Sequence, residues 1–218
     1  SPQGIANSVA EHCIGMLLNL QHRITSSNNE IKNKQWLREP NRGFELETLH
    51  IGIIGYGHTG MAFAKKLSVF TPHVIAFDKY KTNFSDAFVH EASLHEIKQT
   101  CDVLSFHVPL SKEAMHYYDT TFLQQMVKPH ILMNASRGAV VDTHVVLQGL
   151  ASQKITGACL DVLEEESNIN SILQEEDNLI EKLMKYPVVI TPHIAGYSYN
   201  AIEKMSAELL AQLMEKGF

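Results

Sequence analysis

The chain has 218 residues, enough for one large domain or a domain with extra elements. Hydrophobic content of 44% and charged content of 19% are ordinary for a globular protein, and a net charge of −6 argues against nucleic acid or an anionic membrane surface as a bulk partner. No apolar stretch approaches the ~20 residues of a bilayer span, and the opening SPQGIANSVAEH lacks the basic start and apolar core of a signal peptide.

Apolar spacing at Val9, Ile14, Leu17 and Leu18 predicts a first helix over 9–24, followed by a polar loop over 25–43 with one short turn near Trp36. An alternation then begins: strand 49–54, helix 60–70, strand 73–77, a loop and short helix within 85–100, and strand 102–107. Helix 120–126 ends at Lys128-Pro129 before strand 130–134. Asp142 is a suitable N-cap for a helix running to Ser152, and strand 155–160 follows. An acidic, helix-prone stretch over 167–185 precedes strand 187–191. The last helix, 200–216, carries Ile202, Met205, Leu209, Leu210 and Leu213 on one side. Cys13, Cys101 and Cys159 lie far apart in apolar runs, which fits buried free thiols in a reducing compartment and makes the cytoplasm the expected location.

Six of these runs (Leu49 to Ile54, Val74 to Phe77, Val103 to Phe106, Ile131 to Met133, Thr156 to Leu160, Val188 to Ile190) end in polar or glycine clusters. Strands alternating with helices imply a parallel sheet covered on both faces. Ligands of such sheets sit outside the carboxyl ends of the strands. The expected fold is therefore α/β, a doubly wound parallel sheet of Rossmann type, with the six clusters converging on an enzyme's cofactor cleft.

Gly55-x-Gly57-x-x-Gly60 follows a strand and opens a helix, the context in which such glycines bind a dinucleotide rather than mark a plain turn. The helix amides then face the pyrophosphate. Asp78 ends the second strand, where it can accept hydrogen bonds from a ribose diol and repel a 2′-phosphate; NAD is preferred, though Lys79 and Lys81 keep NADP open. His193, in Thr191-Pro192-His193-Ile194-Ala195-Gly196, stands at a strand end where an imidazole can exchange a proton with a substrate oxygen during hydride transfer. Glu164-Glu165-Glu166 reads first as a solvated acidic run, but one of these carboxylates can reach His193 and stabilise its imidazolium. Arg137, in Asn134-Ala135-Ser136-Arg137-Gly138, is placed to fork onto a substrate carboxylate. His107-Val108-Pro109 reads as a wall around the cofactor. No GxSxG, HExxH or CxxC pattern occurs, so neither a serine hydrolase nor a metal site is expected.

These residues resemble the D-isomer-specific 2-hydroxyacid dehydrogenases, a family that includes 3-phosphoglycerate dehydrogenase. The landmarks are Val9-Ala10-Glu11-His12, Gly52-Ile53-Ile54-Gly55-Tyr56-Gly57, His107-Val108-Pro109-Leu110, NASRGAVVD over 134–142, GACLDV over 157–162 and TPHIAG over 191–196. The resemblance implies NAD as cofactor, a 2-hydroxy or 2-keto acid as substrate, and Arg137, Glu166 and His193 as catalytic residues. It further implies that Asp161 holds the nicotinamide carboxamide and Asp78 the ribose. The residues expected to contact the cofactor are Gly55, Tyr56, Gly57, His58, Thr59, Gly60, Asp78, His107, Val108, Pro109, Ala135, Ser136, Arg137, Asp161, His193 and Gly196.

Family members usually carry Pro after the glutamate, where this chain has Ser167, and the stretch to Tyr186 is longer than usual. The family's substrate domain normally precedes the point at which this chain begins, so an interdomain and dimerisation helix over 1–25, a nucleotide-binding body over 26–196 and a C-terminal helix over 197–218 facing the substrate domain are expected. By this reading the protein forms a homodimer, and the chain alone is inactive. Two alternatives come with the resemblance: an NAD(H)-sensing module like the family's transcriptional corepressors, and an NADP-linked glyoxylate or hydroxypyruvate reductase.

Overall fold

In a computed structural model that describes residues 2–164 and 166–215, the alternation of the sequence becomes one seven-stranded sheet. The strands are β1 (Ile51–Ile54), β2 (Val74–Phe77), β3 (His90–Glu91), β4 (Val103–Phe106), β5 (His130–Asn134), β6 (Ile155–Leu160) and β7 (Val188–Ile190). All neighbours pair in parallel, in the order β3-β2-β1-β4-β5-β6-β7. Every residue of β1, β4 and β5 is buried, as strands covered on both faces require.

The chain starts in the middle of the sheet, winds outward to β3, then returns past β1 to build the other half. Right-handed crossovers place helices on opposite faces for the two directions. One face packs Phe63 and Leu67 of α3 (His58–Leu67) with Cys13 and Leu17 of α1 (Pro2–Gln21). The other packs Ile97 of α4 (Leu94–Thr100), Phe122 of α5 (Thr120–Gln125), Val145 of α6 (Thr143–Ala151) and Leu183 of α8 (Leu179–Leu183). The reversal of direction opens a crevice between the carboxyl ends of β1 and β4, where ligands of this architecture bind. Asp142 caps α6 through bonds from the amides of His144 and Val145, as its sequence position predicts.

Two expectations need correction. The segment 25–43 is not one loop: α2 (Ile24–Lys32) and a 3-10 turn over Glu39–Asn41 occupy it. β3 is a two-residue edge strand that the sequence did not announce. The helix-prone stretch 167–185 carries two short helices, α7 (Ile169–Ile172) and α8. The final helix, α9 (Tyr199–Glu215), packs on α1, where a Cβ at Gly4 would stand 3.0 Å from Met205. Of the residues singled out from the sequence, Glu165, Lys216 and the side chain of Leu213 lie outside the described ones. Cys13, Cys101 and Cys159 are free and buried, and among the described residues no helix is long and apolar enough to cross a membrane.

Phe106 ends β4 fully buried, with its ring 6.0–6.2 Å from those of Tyr117, Tyr118 and Phe122. Phe106→Ala is expected to lower the unfolding free energy by about 3–5 kcal/mol, read from the denaturant midpoint at unchanged slope. A loss under about 1 kcal/mol would show that this layer is not close-packed.

Candidate active site

The turn after β1 is built on contacts only glycine permits. Gly55 has φ +94°, and a Cβ there would fall 2.7 Å from the His107 carbonyl, so the β1 and β4 turns touch through bare backbone. A Cβ at Gly60 would fall 2.2 Å from the Gly55 carbonyl, which seats α3 against the turn. At Gly57 a Cβ would meet nothing within 4 Å. Gly57 also starts α3 without a side-chain cap, leaving the amides of His58, Thr59 and Gly60 for an anion. Asp78 closes the turn: Oδ2 accepts from Tyr56 N at 2.8 Å, and Oδ1 from Tyr80 N and Lys81 N at 2.9 and 3.2 Å. A cavity of about 210 Å³ lies here, with Gly55, Gly57 and Asp78 on one wall and His107, Val108 and Pro109 on the other. Open space at Gly57, uncapped amides and a carboxylate beside the cavity fit a dinucleotide. Tyr56 is the exception among the expected contacts. Its side chain is buried, and its hydroxyl donates to Asp86 Oδ2 at 2.7 Å, so only its backbone belongs to the turn.

The histidines separate by environment. His107 is buried, shares a 2.9 Å hydrogen bond with Ser105 Oγ, and is pushed down to about 4 by burial, so it is neutral at physiological pH. His130 is also buried and pushed down to about 4, chiefly by burial, with its Nε2 on the Tyr118 hydroxyl at 2.8 Å. Both serve packing. His193 is different. Its side chain is 48% exposed, and Nδ1 lies 2.6 Å from Glu166 Oε2. Glu166 is held in turn by the Leu163 amide, which donates to Oε1 at 3.1 Å.

Asp161, at the end of β6, fixes this arrangement. Its Oδ1 accepts from the Thr191 hydroxyl at 2.6 Å and Ile194 N at 2.9 Å, and Oδ2 from Ala195 N at 2.8 Å; its carbonyl accepts from His193 N at 2.8 Å. Burial alone would raise the carboxyl, but the bonds from His12, Thr191, Ala195 and Ile194 outweigh it and hold it below the ordinary aspartate value. Since the Thr191 hydroxyl proton points to Asp161, His12 Nε2, 2.9 Å from Thr191 Oγ1, is the donor of that contact. His193 itself sits in the left-handed region at φ 55°. Gly196 rests against Ile5 of α1.

Arg137 leaves the end of β5 through a turn that Asn134 ties. Asn134 Oδ1 accepts from Ser136 N and Oγ at 3.1 and 2.8 Å, and its Nδ2 donates to the Arg137 carbonyl at 3.0 Å. Ala135 and Ser136 line this turn; Arg137 Nη1 donates to the Ser136 carbonyl at 2.6 Å and the side chain is exposed. A Cβ at Gly138 would lie 1.8 Å from the Leu163 carbonyl, so the arginine turn and the loop carrying Glu166 are in backbone contact. Glu164 faces elsewhere: Oε2 accepts from Thr143 N at 2.7 Å at the start of α6, and Oε1 pairs with His116 Nε2 at 2.5 Å. Sequence reasoning named His12 and Thr191 only within landmarks, without a role, and missed His116. Their partners lie up to 179 residues away, a separation no local pattern signals.

The chain belongs to the D-isomer specific 2-hydroxyacid dehydrogenases: residues 14–195 match the model of that family's NAD-binding domain. It is 30% identical over 215 residues to the aromatic 2-oxoacid reductase of Clostridium sporogenes, covering 96% of this chain and 65% of that protein. It is 28% identical over 218 residues to the D-3-phosphoglycerate dehydrogenase of Bacillus subtilis, covering 99% of this chain and 40% of that one. The structure of Aquifex aeolicus D-lactate dehydrogenase, complexed with NAD and lactic acid, superposes with a TM-score of 0.83 at 29% identity over 100% of this chain and 67% of its own. The chain thus spans about two thirds or less of these relatives' length.

The His116–Glu164 contact ties the loop after β4 to the loop that carries Glu166. The Glu164 hydrogen bond, opposed by slight desolvation, raises His116 above its ordinary 6.5. Glu164 is held below its ordinary 4.5: desolvation opposes, but the bonds from Thr143 and His116 prevail. A raised histidine contributes stability below its unfolded value and loses it as pH rises through the folded one. Wild type should therefore melt higher than His116→Gln by up to about 3 °C near pH 5.5, the contribution of a half-exposed pair. The gap is expected to close by about pH 8.5, and one that is equal at both values contradicts the assignment.

Proposed function

We propose that the protein is an NAD-dependent oxidoreductase of D-2-hydroxy and 2-keto acids, with Arg137, Glu166 and His193 as its catalytic residues. The observation that carries the reading is the 2.6 Å contact between His193 Nδ1 and Glu166 Oε2, on the same carboxyl edge of the sheet as a cradle suited to a dinucleotide. Bound in that cradle, NAD supplies the hydride acceptor or donor. With a carboxylate on Nδ1, the imidazole keeps its proton there and presents Nε2 as the base that takes the proton of the substrate hydroxyl; in the reverse direction the imidazolium returns it. Arg137, with guanidinium donors left beyond its one bond to Ser136, forks onto the substrate carboxylate and polarises the C2 oxygen. These three groups act on the carboxylate and C2 common to all such acids. They define the class rather than one acid, in keeping with the varied reductases and dehydrogenases the chain is similar to.

Asp161 contributes to this reading as anchor of the His193 loop and as the residue proposed to hold the nicotinamide carboxamide. Because His193 and Glu166 are 48% and 36% exposed, water leaves the pair only when further protein and substrate cover it, so the chain alone is expected to bind cofactor and turn over poorly. A homodimer belongs to the same proposal. Trp36 and Phe44, 83% and 73% exposed, and the exposed Ile24 and Ile31 of α2 are apolar side chains that a second copy would cover. The three buried free thiols suit a reducing compartment such as the cytoplasm.

One variant series checks the assignment in the intact protein. Asp78→Ala should weaken NADH binding by about tenfold, the loss of one charge-assisted hydrogen bond. His193→Gln should leave that binding intact and lower kcat on a 2-keto acid by about 10²–10⁴-fold. Turnover that survives His193→Gln would refute the catalytic role; NADH binding indifferent to Asp78→Ala would refute the cofactor cleft.

A further inference from the structure

Glu113 lies on the cofactor cavity but has no place in the reading above. Asp78 follows β2, and the next residues supply two cations, Lys79 and Lys81. Neither is free. Lys81 Nζ donates to the Tyr56 carbonyl at 2.6 Å, inside the glycine turn. Lys79 Nζ pairs with Glu113 Oε2, and the Tyr80 hydroxyl donates to the same oxygen at 3.1 Å. The Lys79 ammonium also stands 5.6 Å from the centre of the Tyr80 ring. Glu113 comes from the segment after β4, so this cluster joins the two walls of the cavity that both Lys79 and Glu113 line.

The 2′ position of the adenosine ribose decides between the two nicotinamide cofactors. A carboxylate there accepts from a hydroxyl, whereas a 2′-phosphate needs a neighbouring cation. Asp78 provides the first. The nearest candidates for the second are withdrawn, one by a carbonyl and one by a carboxylate from the opposite wall. Charges also explain the direction: the hydrogen bond to Glu113 raises Lys79, and the bond to Lys79 lowers Glu113, so both stay ionised through the physiological range.

We propose that Glu113 is a specificity-determining residue, holding Lys79 away from the ribose 2′ position so that the cavity takes NAD(H) in preference to NADP(H). This rests on the cofactor cleft assigned above. Lys79 and Glu113 are 53% and 63% exposed, so solvent screens their pairing and Glu113 tunes the preference that Asp78 sets.

The test is calorimetric titration of the purified protein with NADH and with NADPH, comparing wild type, Glu113→Gln, the double variant Lys79→Gln with Glu113→Gln, and Glu203→Gln on α9 as a control for net charge. Glu113→Gln should tighten NADPH by about three- to fivefold with NADH changed by less than about twofold. The double variant should lose that gain, and ~1 M salt, where the screening length is ~3 Å, should erase it. Glu203→Gln should do nothing. An unchanged ratio in Glu113→Gln, equal tightening of both cofactors, or the same gain in Glu203→Gln would overturn the proposal while NADH binding by wild type stood. A wild type that binds neither cofactor would overturn the cleft itself, and this inference with it.

Discussion

A single buried carboxylate organises the carboxyl edge of this sheet around His193. Asp161 is 1% exposed, and an unpaired charge there would be strongly unfavourable. It is tolerated because Thr191, Ile194 and Ala195 all donate to it, and those donors come from the loop that carries His193. The burial of one charge thus ties down the loop from Thr191 to Ala195. His193 takes a left-handed backbone conformation while its amide donates to the Asp161 and Thr191 carbonyls, and its ring is held by Glu166. Further support comes from α1: His12 donates to Thr191, and the Ser8 hydroxyl donates to the Ala195 carbonyl at 2.8 Å. Helix α1 therefore does more than cover one sheet face.

The rest of the site follows from close backbone approach. Gly55 and Gly60 let the β1 turn, the β4 turn and the start of α3 meet without side chains between them. Gly138 does the same for the arginine turn and the Leu163–Glu164 backbone. Each contact places a polar group at the carboxyl edge: helix amides at the first, Arg137 and Glu166 at the second. The two halves of the cleft are built by the same device, and both depend on the parallel sheet that aligns the strand ends.

What the sequence made legible was what burial enforces locally. Strands covered on both faces must be apolar throughout, so β1, β4, β5 and β6 stood out as runs. Helix α2 did not. Its sequence ITSSNNEIK has no buried residue, and polar links such as Asn19 with Thr25 hold it, so there was no apolar period to read. The strand β3 is His-Glu on a sheet edge, defined only by the backbone of β2. At the site, Arg137 and His193 were legible because each follows an apolar strand, β5 buried throughout and β7 half-buried. The choice of Glu166 over its neighbours was not local chemistry, since Glu164 is an equally plausible carboxylate by composition. It came from the resemblance, and the geometry gives the reason: Glu164 is turned to α6 and His116, Glu166 to His193.

The central claim is that the dinucleotide cradle and the His193–Glu166 pair form one site. The most direct measurement is the NMR spectrum of the histidine ring protons during titration with NADH, with His193 assigned by its substitution. A saturable shift of the His193 resonance, tracking cofactor occupancy while buried His130 stays still, is the result this account predicts. Saturable NADH binding that leaves His193 unmoved would contradict it, because the cofactor would then lie away from the pair proposed to act on the substrate beside it.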